Sequence, residues 1–386
     1  MFELPTVVLD IDPAMQYNRA ILRGISKYAY MHGPWSFERH FLFYKIKRRQ
    51  LSEMLSMDVD GIIVDVVGKP PIDKIPKTIP TILLPLKERV PGFPNIVDND
   101  AAIGKIAAEH LLGRGFKEFA FCGFSDLHWS NARSVGFCKR LAEAGCQVHI
   151  STKPMSTFRT LWHTEKDNLA EWLLSLPKPV GLMSCNDDCS QFVLDACKRA
   201  ELKVPYDVAI IGVDNNELIC ELSAPPLTSV AVNTERTGYE AAALLDRMMT
   251  GREKMGEQLI VGQPTHVKVR QSTSITASAD PLVVQALLFI QQNVKKPISV
   301  NDVVEATTTS RRDLYRRFHT CLGRSVYQEI INARIDLMAQ MLIETNFSIY
   351  EIALSIGEKS GKNISRYFRR IKGMTPQDFR RKYALK

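Results

Sequence analysis

The stretch SRRDLYRRFHTCLGRS at residues 310–325 recurs, altered but aligned, as SGKNISRYFRRIKGMT at residues 360–375. Leu314, Phe318, Gly323 and Ser325 of the first copy correspond to Ile364, Phe368, Gly373 and Thr375 of the second. Upstream, Val303-Val304 corresponds to Ile352-Ala353, with one extra residue in the second copy. Each copy reads as a short helix, a tight turn, a second helix and a glycine stop, the outline of a helix-turn-helix. Positions four apart share a helix face, so Leu314 with Phe318, and Ile364 with Phe368, define the buried sides. At about 100° per residue, Thr309, Arg312 and Arg316 fall opposite in the first copy, with Arg311 and Tyr315 on a flank. In the second copy Lys359, Lys362 and Arg366 point outward and Asn363 lies on the flank. Arg and Asn pair bidentately with guanine and adenine in the major groove, so these nine side chains are the expected DNA-facing set.

Charge distribution agrees with that reading. The chain has 386 residues and a formal net charge of +8. Residues 281–386 hold 18 of the 50 Lys and Arg but only 9 of the 42 Asp and Glu, a net of +9, which leaves −1 for the first 280 residues. A basic block of domain size predicts a polyanionic partner, most often nucleic acid. With 45% hydrophobic and 24% charged residues, the composition excludes a disordered or collagen-like chain. No apolar run reaches the roughly 18 residues of a membrane helix. Met1 leads almost directly into an apolar strand at Val7-Val8-Leu9, with no secretory signal between. Eight cysteines have neither zinc nor disulfide-framework spacing, and Cys185, Cys189 and Cys197 read as small buried hydrophobes. Together these features predict a cytoplasmic protein.

Residues 1–270 alternate strand-like and helix-like segments. Short apolar runs at residues 6–11, 61–66, 81–84, 118–122, 148–151, 180–184 and 208–213 suit strands buried on both faces of parallel sheets. Helical patterns fall between them at residues 14–30, 100–112, 131–144, 166–175, 189–200 and 236–250. This predicts two doubly wound α/β lobes with a ligand site beyond the strand carboxyl ends, in the cleft between lobes. The Ser/Thr-rich residues 271–281 read as a linker, and residues 282–386 as an all-helical domain opened by an Asp280 cap. No GxSxG, phosphate loop, GxGxxG, HExxH or acid–base cluster is present, which argues against an enzyme. An α/β enzyme or a plain sugar-binding protein with an added nucleic-acid module is the alternative class.

The C-terminal spacing is dense enough to carry a family resemblance. Ser310-x3-Leu314-x3-Phe318-x4-Gly323-x-Ser325 is followed by Arg334-x4-Ala339-x2-Leu342 and Ile349-x2-Ile352-Ala353-x3-Gly357. Ser365-x2-Phe368-x4-Gly373-x-Thr375-Pro376-x2-Phe379-Arg380 closes the pattern. This resembles the double helix-turn-helix domain of the AraC family. Two departures are visible: Glu358 stands where that family usually has an aromatic, and Asn363-Ile364 where it has an aromatic pair. The first 270 residues are similar to the sugar sensor of lactose-repressor-type regulators and periplasmic sugar-binding proteins. The phrases that carry this are Asp98-Asn99-x4-Gly104, Arg133-x2-Gly136-Phe137, Asn186-Asp187, Val204-Pro205-x-Asp207-Val208-x3-Gly212-x-Asp214 and Pro226-Leu227-Thr228-Ser229-Val230. Sensor first and DNA reader last is the order of the xylose-operon regulators of enteric bacteria.

The resemblance implies hydroxyl-binding roles for Arg133, Asn186 and Asp214. Asp12, Tyr17 and Asn18 after the first strand, and Asp65 near the end of the strand at 61–66, are further candidates, with Trp129 as a plate for the sugar ring. Val232 replaces a Gln common at that position in the family. The expected effector is a monosaccharide, D-xylose first, with no other cofactor and no metal. The expected partners are a double-stranded DNA operator, RNA polymerase and a second copy of the chain, with no membrane partner. The expected activity is activation of pentose catabolism genes, driven by closure of the sensor around sugar and re-orientation of the basic domains.

Overall fold

The continuous apolar runs become strands of two largely parallel sheets, all of them interior except the run at 148–151, which forms the edge strand of the second sheet. The computed structural model describes residues 4–39, 58–66, 75–85, 88–160, 162–274, 280–358 and 361–384. The chain divides into two compact units.

The first unit comprises residues 1–99, 126–129 and 233–263. Its sheet runs β11 (Leu259–Gly262), β5 (Asn95–Asp98), β4 (Thr81–Pro85), β3 (Gly61–Val66), β1 (Thr6–Asp10), β2 (Ser36–Arg39), with every pair parallel. Successive side chains leave a strand on opposite faces. Val7, Leu9, Ile63 and Ile82 therefore pack on one side with Ile21 and Ile25 of α1 (Gln16–His32) and Leu245 of α8 (Thr234–Met249). Val8, Ile62, Val64 and Leu83 fill the core on the other side. A strand apolar on both faces is what two-sided burial requires.

The second unit comprises residues 100–125, 130–232 and 264–386. Its sheet repeats the winding: β12 (Pro264–Lys268), β10 (Thr228–Val232), β9 (Val208–Val213), β8 (Val180–Ser184), β6 (Glu118–Phe124), β7 (Val148–Lys153). Only the β10–β12 pair is antiparallel. Around it lie α2 (Asp100–Gly113), α3 (His128–Ala142, begun in the first unit), α4 (Met155–Thr160), α5 (Trp162–Ser175), α6 (Asp187–Arg199) and α7 (Glu217–Leu222). Gly104 and Gly136 let α2 and α3 touch backbone to backbone. A Cβ at 104 would come within 2.2 Å of the Arg133 carbonyl, and one at 136 within 2.3 Å of the Ala101 carbonyl. That close approach fixes where Arg133 leaves α3. Residues 271–273, at the head of the stretch read as a linker, form a short 3-10 turn with Ser272 and Thr273 fully buried, and 275–279 lie outside the described residues.

The rest of the second unit is helical: α9 (Pro281–Gln292), α10 (Val300–Ala306), α11 (Arg311–Leu322), α12 (Val326–Glu344), α13 (Ile349–Ser355), α14 (Gly361–Lys372) and α15 (Pro376–Tyr383). The pairs α10–α11 and α13–α14 are the two helix-turn-helices. Each has its own core, Leu314 and Phe318 packing with Val283, Ile290 and Val303, and Ile364 and Phe368 with Ile352, Met338 and Phe379. α12 joins them, giving Val326 and Ile330 to the first core and Ile335 to Leu342 to the second. The serines of the repeat are helix caps. Ser310, Ser325 and Thr375 accept from the backbone N–H of Asp313, Gln328 and Asp378 at 3.1, 3.2 and 3.1 Å. Each satisfies a donor the first helical turn leaves open. Ser299 with Asp302, and Ser348 with Glu351, form full capping boxes at α10 and α13.

Candidate effector site and nucleic-acid interface

In the second unit the polar candidates converge at the carboxyl ends of β8 and β9. Arg133 is 3% exposed. Its Nε donates to Asp100 Oδ1 at 2.9 Å and its Nη1 to the Cys185 carbonyl at 2.8 Å, while Nη1 stands 3.6 Å from Asp214 Oδ1. Asn186 follows Cys185 and caps α6, accepting from the Cys189 N–H at 2.9 Å. Asp214 ends β9 in a positive-φ conformation (95°), as does Asn215 (47°). Burial pushes the Asp214 carboxyl up from its ordinary range, against the pull of Arg133. Buried Arg133 and Asn186 and the partly exposed Asp214, its side chain 17% accessible, thus lie together at these strand ends.

In the first unit Asn18 is the centre of the corresponding set. Its Nδ2 donates to the Asp12 carbonyl and to Asp65 Oδ2, both at 2.9 Å. Asp12 itself accepts from the Ala14 N–H at 2.9 Å, the turn that starts α1. The Tyr17 hydroxyl reaches Asp98 Oδ1 at 3.3 Å. Asp12, Asp65 and Asp98 follow or end β1, β3 and β5, where an open α/β sheet places its ligand groups. Trp129, half-buried, lies in the first turn of α3. The sequence marked Asp98 only as part of the Asp98-Asn99-x4-Gly104 phrase and gave it no role in the site.

Both helices that present the basic faces are oriented as their apolar spacing requires. Arg311, Arg312, Tyr315 and Arg316 are exposed on α11, and Asn363 and Arg366 on α14. Lys362 lies in the first turn of α14, and Lys359 lies outside the described residues. Local acids engage part of the first set: Arg316 pairs with Asp313 at 2.5 Å, and the Thr309 hydroxyl reaches Asp313 at 3.3 Å. Arg317 bridges Asp313 and Asp280, both at 2.6 Å, and ties the recognition helix to the start of α9. The Glu358 departure has a physical role. Glu358 pairs with Arg334, which is 6% exposed and also donates to the carbonyls of Lys296 and Ile298 at 3.2 Å. Sequence reading missed Tyr327 and Tyr367, whose hydroxyls meet at 3.3 Å, and Arg370, whose guanidinium lies 4.9 Å from the Tyr367 ring centre.

Within the second unit the sensor sheet meets the reader directly. β12 packs on α12, with Lys268 3.9 Å from Glu344. Arg324, in the loop after the first recognition helix, donates to the Gly113 carbonyl at 2.5 Å. Arg114 donates through Nε to His110 at 3.2 Å, and with the Gln291 amide of α9 turned so that its oxygen faces the guanidinium, through both Nη atoms to that oxygen at 3.1 and 2.6 Å. His110 also bonds Thr273 at 2.9 Å. Burial, with Arg114 and Arg324 nearby, holds His110 well below the usual imidazole range. Burial and Lys372 push His266 on β12 down to about 3.

Among the described residues no group of three or more His, Cys, Asp or Glu is placed to hold a metal, and no helix is long and apolar enough to cross a membrane. The fold and the two sites define a regulator built from a periplasmic-binding-like sensor and a double helix-turn-helix reader. Comparison with known proteins agrees: residues 108–273 match the periplasmic binding protein-like domain and residues 303–382 the helix-turn-helix domain. The chain is 30% identical over 383 residues to the xylose operon regulatory protein of Haemophilus influenzae, covering 94% of this chain and 95% of that one. It is 28% identical over 379 residues to the protein of the same name from Escherichia coli, covering 94% of both. A solved structure of a xylose-binding transcription activator aligns over 100% of both chains with a TM-score of 0.60 and 26% identity. The chain belongs to the xylose operon regulatory protein family, and is a DNA-binding, sugar-responsive regulator of transcription rather than an enzyme.

Proposed function

We propose that the effector is D-xylose or a closely related monosaccharide and that the protein activates pentose catabolism genes. Full-length similarity to xylose operon regulatory proteins and to a xylose-binding activator supports the sugar and the sign of control. The observation that carries the site is the Arg133–Asp214–Asn186 cluster, in which Arg133 and Asn186 are buried and Asp214 is partly exposed. A sugar offers hydroxyls that both donate and accept. Asp214 accepts, the Arg133 guanidinium donates, and the Asn186 amide does either. In the first unit Asn18, Asp12, Asp65, Tyr17 and Trp129 are proposed to contribute in the same way.

On the reader, Arg311, Arg312, Tyr315, Arg316 and Thr309 of the first copy are assigned to base edges and phosphates. Lys359, Lys362, Asn363 and Arg366 take that role in the second copy. Arg316 exchanges Asp313 for a phosphate at little cost, because an exposed ion pair contributes under about 1 kcal/mol. Two recognition helices in one chain suit successive major grooves. We assign the sensor to residues 1–270 and the reader to 282–386, place the protein in the cytoplasm, and propose that it acts as a homodimer contacting RNA polymerase. The test is a thermal-shift screen of the full chain against free pentoses and hexoses. D-xylose is expected to raise the melting temperature by mass action, and a panel without any shift would remove the sugar assignment.

A further inference from the structure

Asp187 opens α6 beside the effector cluster, yet touches none of the proposed ligand groups directly. It is 1% exposed. Its Oδ2 accepts from the Asn216 backbone N–H at 2.7 Å, and from the Cys220 thiol at 3.5 Å. The Ser229 hydroxyl lies 2.7 Å from Oδ1, and Ser229 Oγ in turn accepts from the Asn215 N–H at 3.0 Å. Asp187 therefore holds two consecutive amides, one directly and one through Ser229. Those amides follow Asp214, in a turn where Asp214 and Asn215 both have positive φ. Residues other than glycine keep such a conformation only where the surroundings impose it. The neighbouring glycine has the same cause: a Cβ at 212 would come within 2.2 Å of Asp187 Oδ1.

We propose that Asp187 is a positioning residue of the effector site, which fixes the Asp214–Asn216 turn and thereby aims the Asp214 carboxylate at Arg133. The inference rests on the reading of Asp214 as a sugar-binding group. Donor geometry defines what the position needs. Oδ2 faces an N–H that can only donate, so it must accept. Oδ1 faces a hydroxyl that can give or take a hydrogen bond. An asparagine can meet both demands, accepting from Asn216 and donating to Ser229. Burial and the Asp214 carboxylate push Asp187 up to about 8, so the neutral form that asparagine mimics is the one favoured near neutral pH.

The test uses the full chain with Asp187→Ala, Asp187→Asn, Ser229→Ala and Asp214→Asn. D-xylose affinity is read by calorimetry, and the Asn215 and Asn216 amides by hydrogen exchange without sugar. Asp187→Ala is expected to weaken D-xylose binding by about tenfold or more and to expose both amides, because two buried donors lose their anchor. Ser229→Ala is expected to free the Asn215 amide alone. Asp187→Asn should restore affinity to within about threefold and keep both amides protected. Unchanged exchange in Asp187→Ala, or a loss in Asp187→Asn as large as in Asp187→Ala, would overturn the inference. Full D-xylose affinity in Asp214→Asn, or no binding by the wild type, would instead sink the effector-site reading, and the exchange data would still decide the role of Asp187.

Discussion

Replacing Arg133 by alanine tests the buried cluster more severely than any ligand assay. Arg133 is 3% exposed and Asp100 8% exposed, and the pair is bonded at 2.9 Å. Alanine removes the cation bonded to Asp100 and adjacent to Asp214, and takes a donor from the Cys185 carbonyl. Breaking a buried pair from one side costs about 3–5 kcal/mol, because the remaining charge is neither solvated nor compensated. At roughly 2–4 °C per kcal/mol for a domain of this size, the melting temperature should fall by about 6–20 °C. The deficit has a pH signature. Burial already raises the Asp214 carboxyl, and Arg133 opposes that rise. Without Arg133 the folded-state value climbs further above the unfolded one, so the destabilisation grows as pH increases from 5 to 8. Differential scanning calorimetry across that range is the assay, with Asp100→Asn/Arg133→Met as the double variant that removes both charges of the 2.9 Å pair and leaves Asp214. The double variant should recover much of the loss. If Arg133→Ala melts within about 1 kcal/mol of wild type at every pH, the cluster is not buried and charged as described.

Other consequences follow from the same geometry. Arg312→Ala and Arg366→Ala should each weaken operator binding by about 1–3 kcal/mol, measured by fluorescence anisotropy at fixed salt, while D-xylose affinity stays unchanged. Unfolded His266 titrates near 6.5 but folded His266 only at about 3. Stability is therefore complete above pH 6.5 and falls by about 1.4 kcal/mol per unit as pH drops below it; His266→Gln should flatten that slope in urea titrations between pH 6.5 and 5. Glu358→Ala should cost about 1–3 kcal/mol by leaving buried Arg334 with carbonyl partners only, seen as a lower melting temperature of the full chain.

What the sequence disclosed, and what it hid, follow one physical division. Apolar runs were readable where they are long: β3, β8 and β9 are mainly apolar and buried on every residue, and Leu314 and Phe318 mark the inner face of α11 by spacing alone. Strands that are short or mix in polar residues escaped, among them the interior β5 (NIVD) and β10 (TSVAV). β2 reads SFER and is partly exposed, and β12 begins with a proline and pairs antiparallel, so neither carries the continuous apolar signal. Ser272 and Thr273 looked like linker because they are small and polar. They are buried because Ser272 donates to the Ile210 carbonyl at 2.6 Å and Thr273 to the Thr228 hydroxyl at 2.9 Å. Both partners lie more than forty residues away in sequence, beyond any local pattern. Arg133, Asn186 and Asp214 were assigned hydroxyl-binding roles by resemblance to sugar-binding proteins, and Asp12, Tyr17, Asn18 and Asp65 by their place at strand ends. Asp187 appeared only as part of the Asn186-Asp187 phrase and received no role, since its two anchored amides belong to a distant turn.

Sugar held by the sensor is proposed to change how the reader holds DNA. The direct measurement is operator affinity of the full chain with and without saturating D-xylose, beside Asp214→Ala. A coupling of about 1–3 kcal/mol would shift affinity by roughly 5- to 150-fold. Asp214→Ala should abolish the shift and leave the sugar-free affinity where it was. Equal operator affinity with and without sugar in the wild type, or a shift that persists in Asp214→Ala, would contradict the claim.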